Sequence, residues 1–399
     1  MKIAKSYERL IHNRWGLLAL YAGAAAVSLG LYIALSAGTS GLGFPLDDAW
    51  IHQTYARNLA LRGEWAFFPG VESAGSTSPA WAVFLGVGYL LAIRPEIFAA
   101  FLGWITLIAL AYVANWGFRS LAPGYGKWGP IIAVLLVFEW HLVWAAGSGM
   151  ETLFAGLIIT TALLWLLEDN IRWPLFGLLI GFGFWVRPDI VTLLGPALLA
   201  LLLGNETAAR KAIQTGQLLL GFGLLGGLYF GFNLVIGGAL WPNTFYAKQA
   251  EYQVLQELPF WQRYLDEAFL PMVGVGILVL PGFILMLAAG LNNRRWPLLA
   301  GIIWWFGYIG LYAWRLPVTY QHGRYLMPAM PIYFIWGAAG LALLIAWMTS
   351  GPSNRALAYR AAGKVWGISA GIVLGFFWVL GARSFSQDIG VIETEMVAV

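Results

Sequence analysis

The sequence predicts an all-α polytopic membrane protein. Hydrophobic residues make up 60% of the 399 positions, apolar stretches long enough to cross a bilayer recur from end to end, and only 11% of residues are charged. Soluble domains are about half apolar and about a quarter charged, so composition alone separates this chain from them. Residues 15–37 have the length of a full span and no small-residue cleavage site before Phe44, and many similar segments follow, so they read as a retained first helix. The later candidates are 97–118, 128–146, 152–167, 173–186, 190–204, 213–236, 269–291, 296–314, 325–348 and 365–382, about eleven spans in all. Cysteine is absent, which excludes thiolate metal sites, disulfides and cysteine nucleophiles. No Lys/Arg tract points to nucleic acid.

Segment 79–93 is ambiguous. Its roughly 15 residues would make a helix of about 22 Å, against a hydrocarbon core of about 30 Å. Flanking charge arbitrates, because Lys and Arg beside spans are retained in the cytoplasm. If the segment does not cross, the inner loops hold Lys2, Lys5, Arg9, Arg14, Arg119, Lys127, Arg172, Arg210, Lys211, Arg294, Arg295, Arg355, Arg360 and Lys364, 14 of the 23 basic residues. A crossing there would flip every later loop and keep fewer inside. The segment is therefore expected to be a short juxtamembrane helix, with the N-terminus cytoplasmic.

That topology divides the chain into a transmembrane domain over 1–383, with a first outer loop at 38–95 and a second long one at 237–268. Residues 384–399 are expected to begin an extracytoplasmic C-terminal region that continues beyond this sequence. Almost every unusual polar element falls on the outer face: "PLDDAWIH" from Pro45, "GSGMET" from Gly147, "RPD" at Arg187, "WPNTFYAK" from Trp241 and "TYQHGRYLMP" from Thr319. The inner loops are short and basic.

In "PLDDAWIH", Ile51, Tyr55, Asn58, Leu59 and Arg62 follow at helical spacing, so Asp47 and Asp48 open a helix whose unpaired N–H groups favour carboxylates. Capping accounts for one aspartate. A second adjacent like charge raises the cost unless chemistry offsets it. Such an acid suits general-base removal of a proton from an acceptor hydroxyl, with cations on the same face, Arg187, Lys248, His322 and Arg324, holding a departing phosphate. The plainer reading of each cation is a span anchor that snorkels to the interface. Glu151 opens a span and reads as a helix cap that could also line a substrate site, while Asn243 reads as a cap or turn. Glu139 and His141 lie inside a span, where they could pair with each other.

In this order, "DDAWIHQTYARNLALRGEWAFFPGVESAGSTSPAW", "SGMETLFAGL", "RPD", "WPNTFYAK" and "GRYLMPAMP" resemble the bacterial membrane-embedded C-type (GT-C) glycosyltransferases, among them the mycobacterial terminal arabinofuranosyltransferase. Protein O-mannosyltransferases and the lipid A aminoarabinose transferase are similar at greater distance. The resemblance covers nearly the whole chain. It implies a GT-C bundle with juxtamembrane helices in the first outer loop and a polyprenyl-phosphate sugar as donor. The acceptor would be an extracytoplasmic glycan, lipid or protein, with inversion at the anomeric carbon and an active site outside a bacterial inner membrane. Asp47 matches the catalytic acid, with Asp48 second, and Arg324, His322, Arg187 and Lys248 are the donor-phosphate candidates. His52, Tyr55, Glu72, Glu151, Asn243, Tyr246 and Tyr325 are the substrate-lining candidates. The oligosaccharyltransferase signature "WWDYG" is absent, since "IWWFGY" lacks its aspartate, so block transfer to asparagine is not supported. No cofactor is required on this reading. A divalent cation on Asp47 and Asp48 stays open, although two aspartates are a thin ligand set.

A transporter or flippase of a lipid-linked sugar is the alternative. It would need ionisable groups near the midplane and a gate on both faces, and the few midplane charges, short inner loops and lack of an inverted repeat weigh against it. A non-catalytic scaffold would not need the acid pair.

Overall fold

The computed structural model describes residues 13–349 and 353–397, the side chains of 353–362 and of 396–397 apart. Lys2, Lys5 and Arg9 of the inner-loop charge set lie outside the described residues, as do the side chains of Arg355 and Arg360. Sixteen α-helices are used below: α1 (Arg14–Thr39), α2 (Asp47–Arg62), α3 (Pro79–Leu90), α4 (Pro95–Leu121), α5 (Gly129–Val137), α6 (Trp140–Gly147), α7 (Thr152–Trp165), α8 (Trp173–Val186), α9 (Leu194–Leu203), α10 (Ala208–Gly237), α11 (Asn243–Glu251), α12 (Phe260–Phe269), α13 (Gly276–Asn292), α14 (Trp296–Arg315), α15 (Met330–Thr349) and α16 (Ser353–Ile392).

The eleven expected spans all fall on helical segments, two of them bent. Among the described residues six helices are long and apolar enough to cross a membrane alone, or eight if each of two bent pairs is one span. One of the bends has a cause in a single side chain. Between α5 and α6 the chain turns by 58° at Glu139, whose carboxylate accepts the Leu142 N–H and so starts a new helix. The 14-residue helices α7 and α8 reach only about 21 Å. Both pack against other helices of the bundle, α7 with most of its residues buried.

Helices approach closely where glycine removes the side chain. A Cβ at Gly177 of α8 would collide with the Leu218 carbonyl of α10, and one at Gly221 of α10 with that of Pro174. Such seams let dispersion act between backbones where lipid supplies no hydrophobic drive. Segment 79–93 forms the 12-residue α3, about 18 Å long and packed against α2. The same loop holds a feature that the all-α reading passed over, a two-stranded hairpin pairing Ala66–Phe68 with Val71–Glu72. Its signal was "PG" at Pro69–Gly70, where Gly70 takes φ 79°. The last helix does not break at residue 383, and Phe385, Ser386 and Ile389 are buried against the bundle.

Candidate active site

All five polar stretches picked out in the sequence meet around one cavity of about 280 Å³. Each arrives for a local reason. Asp47 and Asp48 occupy the first turn of α2, as expected, and Asp48 lines the cavity. Pro188 disfavours helix at the residue before it, so α8 stops at Val186 and Arg187 takes an extended conformation (φ −158°, ψ 125°) that carries its side chain into the site. Gly149, at φ 75°, turns the chain so that Glu151 precedes α7. The backbone N–H of Asn243 bonds to the Ala74 carbonyl (2.9 Å) and the Thr244 hydroxyl to that of Gly75 (3.0 Å), which docks α11 on the first loop. Trp241, Thr244, Phe245, Lys248 and Gln249 then face the cavity at helical spacing.

The charges are interlocked. Asp48 Oδ2 sits 2.8 Å from Arg324 Nη2 and 3.0 Å from Lys248 Nζ. Glu151 makes no capping bond; its carboxylate lies 3.4 Å from His52 Nε2 and 3.5 Å from Arg187 Nη1. Asp189 Oδ2 accepts from Arg187 Nε at 2.8 Å, from the Tyr308 hydroxyl at 2.6 Å and from the Tyr312 hydroxyl. Arg324, Arg187 and Lys248 lie 4.9, 5.6 and 5.7 Å from the centroid of one ring, Tyr325. Mutual pairing offsets the large cost of burying these ions. It does not exhaust them, because Nε and Nη1 of Arg324 are buried with no partner among the described residues. Unmet N–H groups on two nitrogens of a cation are what an incoming anion would satisfy.

Burial acts to raise the Asp48 carboxyl, but Lys248 and Arg324 outweigh it and hold the group well below the usual carboxylate range. Burial likewise acts to lower Lys248, and Asp48 more than offsets it, leaving the ammonium raised. The His52 imidazole is lowered by burial, against the pull of Glu151 and Asp48. Asp47 differs from its neighbour. It is half-buried, makes no ion pair or hydrogen bond among the described residues, and does not line the cavity.

Of the sequence candidates, Asp48, His52, Glu151, Arg187, Lys248, Arg324 and Tyr325 all line the cavity. Others do not. His322 turns away to Asp388 on α16, at 2.8 Å, so it is not beside the three cations. The Tyr55 hydroxyl bonds to Ser73 and to the Gly75 N–H, bracing the first loop. Glu72 is exposed on the hairpin, the backbone of Asn243 docks α11, and Tyr246 points off the far side of α11. Sequence reasoning missed Asp189, Tyr308 and Tyr312. The tyrosines stand four apart in "YIGLY", a spacing that puts both on one helix face, but nothing in the sequence names their partner. No group of three or more His, Cys, Asp or Glu residues is arranged to hold a metal among the described residues.

No protein-family model matches the chain, and no curated protein matches it in sequence. Solved structures match its fold. ArnT from Cupriavidus metallidurans bound to undecaprenyl phosphate aligns with a TM-score of 0.54 at 15% identity, over 92% of this chain and 74% of that one. The Archaeoglobus fulgidus oligosaccharyltransferase tethered with an acceptor peptide containing the NVT sequon aligns at 0.58 and 13% identity, over 94% and 55%. The archaeal oligosaccharyltransferase AglB from Archaeoglobus fulgidus, in complex with an inhibitory peptide and a dolichol-phosphate, aligns at 0.54 and 13%, over 94% and 56%. The chain thus spans little more than half the length of the archaeal enzymes. At such identities the likeness is one of architecture: a polytopic helical body, with helices folded into its first long loop, that is the GT-C fold.

Proposed function

We propose that this protein is a membrane-embedded glycosyltransferase that moves a sugar from a polyprenyl-phosphate donor to an extracytoplasmic acceptor of the cell envelope. One observation carries the reading: three cations gather around Tyr325 in a cavity lined by Asp48, and two nitrogens of Arg324 have no partner among the described residues. The fold is shared with proteins solved with undecaprenyl phosphate, dolichol-phosphate and an acceptor peptide, which supports a lipid phosphate and an acceptor at the equivalent place. The charge bias of the loops supports a multi-pass bacterial inner-membrane protein with a cytoplasmic N-terminus and this cavity outside.

The two aspartates divide the work. Asp48, tied to Lys248 and Arg324, is a poor base and orients the cations. Asp47 carries no such tie, stands next to Asp48 in the first turn of α2, and takes the role of general base. The acceptor oxygen attacks the anomeric carbon opposite the phosphate, its proton passes to Asp47, and the carbon–oxygen bond to phosphate breaks with the electron pair leaving on the phosphate oxygen, inverting the centre. Arg324, Lys248 and Arg187 stabilise that leaving charge. His52, Glu151 and Tyr325 line the donor sugar's surroundings, and the transferred unit is a hexosyl or pentosyl group, as in the arabinofuranosyltransferase the motifs resemble.

The test is mass spectrometry of lipid that co-purifies with the protein. A polyprenyl-phosphate sugar on the unsubstituted chain, lost with Arg324→Ala, is the expected result. Bulk phospholipid alone on both would defeat the reading.

A further inference from the structure

Three consecutive residues ahead of Arg324 hold left-handed backbone: Gln321 at φ 54°, His322 at 59° and Gly323 at 66°. Glycine adopts this region freely, whereas glutamine and histidine do so at a cost, and such a run persists only where its surroundings hold it. The hold falls on the His322 side chain. Its Nε2 lies 2.8 Å from Asp388 Oδ2 and 3.3 Å from Ser384 Oγ, both on α16. Its ring meets Trp144 edge-on at 5.2 Å and Trp140 at 5.4 Å. Asp388 Oδ2 also accepts the Trp144 indole N–H at 2.9 Å. Trp144 belongs to α6, the helix that leads through Gly149 to Glu151. Asp388 therefore ties the turn that delivers Arg324 and Tyr325 to the helix that leads to Glu151, although neither His322 nor Asp388 lines the cavity.

We infer that Asp388 is a positioning residue for the lipid-phosphate site: through His322 it holds the left-handed turn that aims Arg324 and Tyr325 at the ligand. The identity of that ligand rests on the proposed function; the geometry of the hold does not. A histidine expected from the sequence to touch phosphate instead acts one step back, on the backbone that carries the arginine.

The test uses the full chain in lipid nanodiscs, undecaprenyl phosphate as the probe, and the thermal midpoint as a control. Asp388→Asn keeps the shape and can still accept from Trp144, but loses the charged partner of His322. It is expected to weaken binding by about tenfold, the scale of releasing one strained left-handed residue. Adding His322→Gly should recover most of that loss, because glycine takes the turn without being held. His322→Ala, which keeps the strain and loses the hold, should bind more weakly than His322→Gly. Unchanged affinity in Asp388→Asn, a double variant no better than the single one, or equal binding by the alanine and glycine variants would each overturn the inference. Should Asp388→Asn lower the midpoint, the comparison of alanine with glycine still decides. Binding lost on Arg324→Ala but untouched by Asp388→Asn removes the positioning role alone, whereas no binding by the unsubstituted chain removes the proposed function and this inference together.

Discussion

Two buried groups of charges lie in this molecule and differ in what they leave over. At the bend between α5 and α6, His141 Nδ1 sits 2.8 Å from Glu139 Oε1, and the other Glu139 oxygen accepts the Leu142 N–H at 3.1 Å. Both side chains are 1% exposed and lie outside the cavity. This pair is closed: each carboxylate oxygen has a donor, and its evident work is to restart a helix at a bend. Around Tyr325 the charges are more numerous and also paired, yet among the described residues two nitrogens of Arg324 have no partner and Asp47 stands free beside Asp48. Burial of charge inside a membrane protein is a general pointer to function. Unmet hydrogen-bonding capacity on a residue that lines a cavity is the sharper one, since a closed carboxylate has no oxygen left with which to recognise a ligand.

That contrast can be broken in graded ways. The largest expected effect is at the free acid: Asp47→Asn should lower the turnover of sugar transfer by about 10²–10⁴-fold. Co-purified donor lipid and thermal midpoint should be retained; turnover near that of the unsubstituted chain would take the base assignment away from Asp47. Next comes the closed pair. Glu139→Ala removes a cap and strands His141, and should cost about 3 kcal/mol of stability. Transfer measured per folded molecule should be kept, and a fall in transfer at unchanged stability would place the pair in the mechanism.

The smallest effect is on pH dependence. Burial lowers His52, so the folded chain keeps the ring neutral where an unfolded chain would bind a proton. The corresponding stability is present in full above the ordinary histidine value of about 6.5 and declines as pH falls below it. Acidification towards about pH 5 should therefore lower the thermal midpoint, and His52→Gln should flatten that slope. A slope of equal steepness in the variant would assign the acid sensitivity to other groups.

Much of the architecture was legible in the sequence because bilayers impose simple rules on it. Apolar length marked the helices, and the short apolar segment 79–93 is the short helix α3. The acid pair at a helix start could be read from the spacing of Ile51, Tyr55, Asn58 and Leu59. The motifs also indicated which stretches would matter, and all five meet around the cavity.

What the sequence by itself determined was therefore composition, helix placement and the set of polar stretches, since these depend on local periodicity and on the partition of residues between lipid and water. The tertiary structure alone decided which charge faces which. His322 and Arg324 stand two apart in one motif, yet one serves α16 and the other the cavity, because the left-handed run of Gln321, His322 and Gly323 turns the chain there. Asp189 acquired its role from Tyr308 and Tyr312, more than a hundred residues away. Tyr55 and Glu72, reasonable candidates by position, were diverted to bracing a loop and to solvent. Ion pairing is a property of distances across the fold, and burial makes it strong enough to set which acid is bound and which is left free to act.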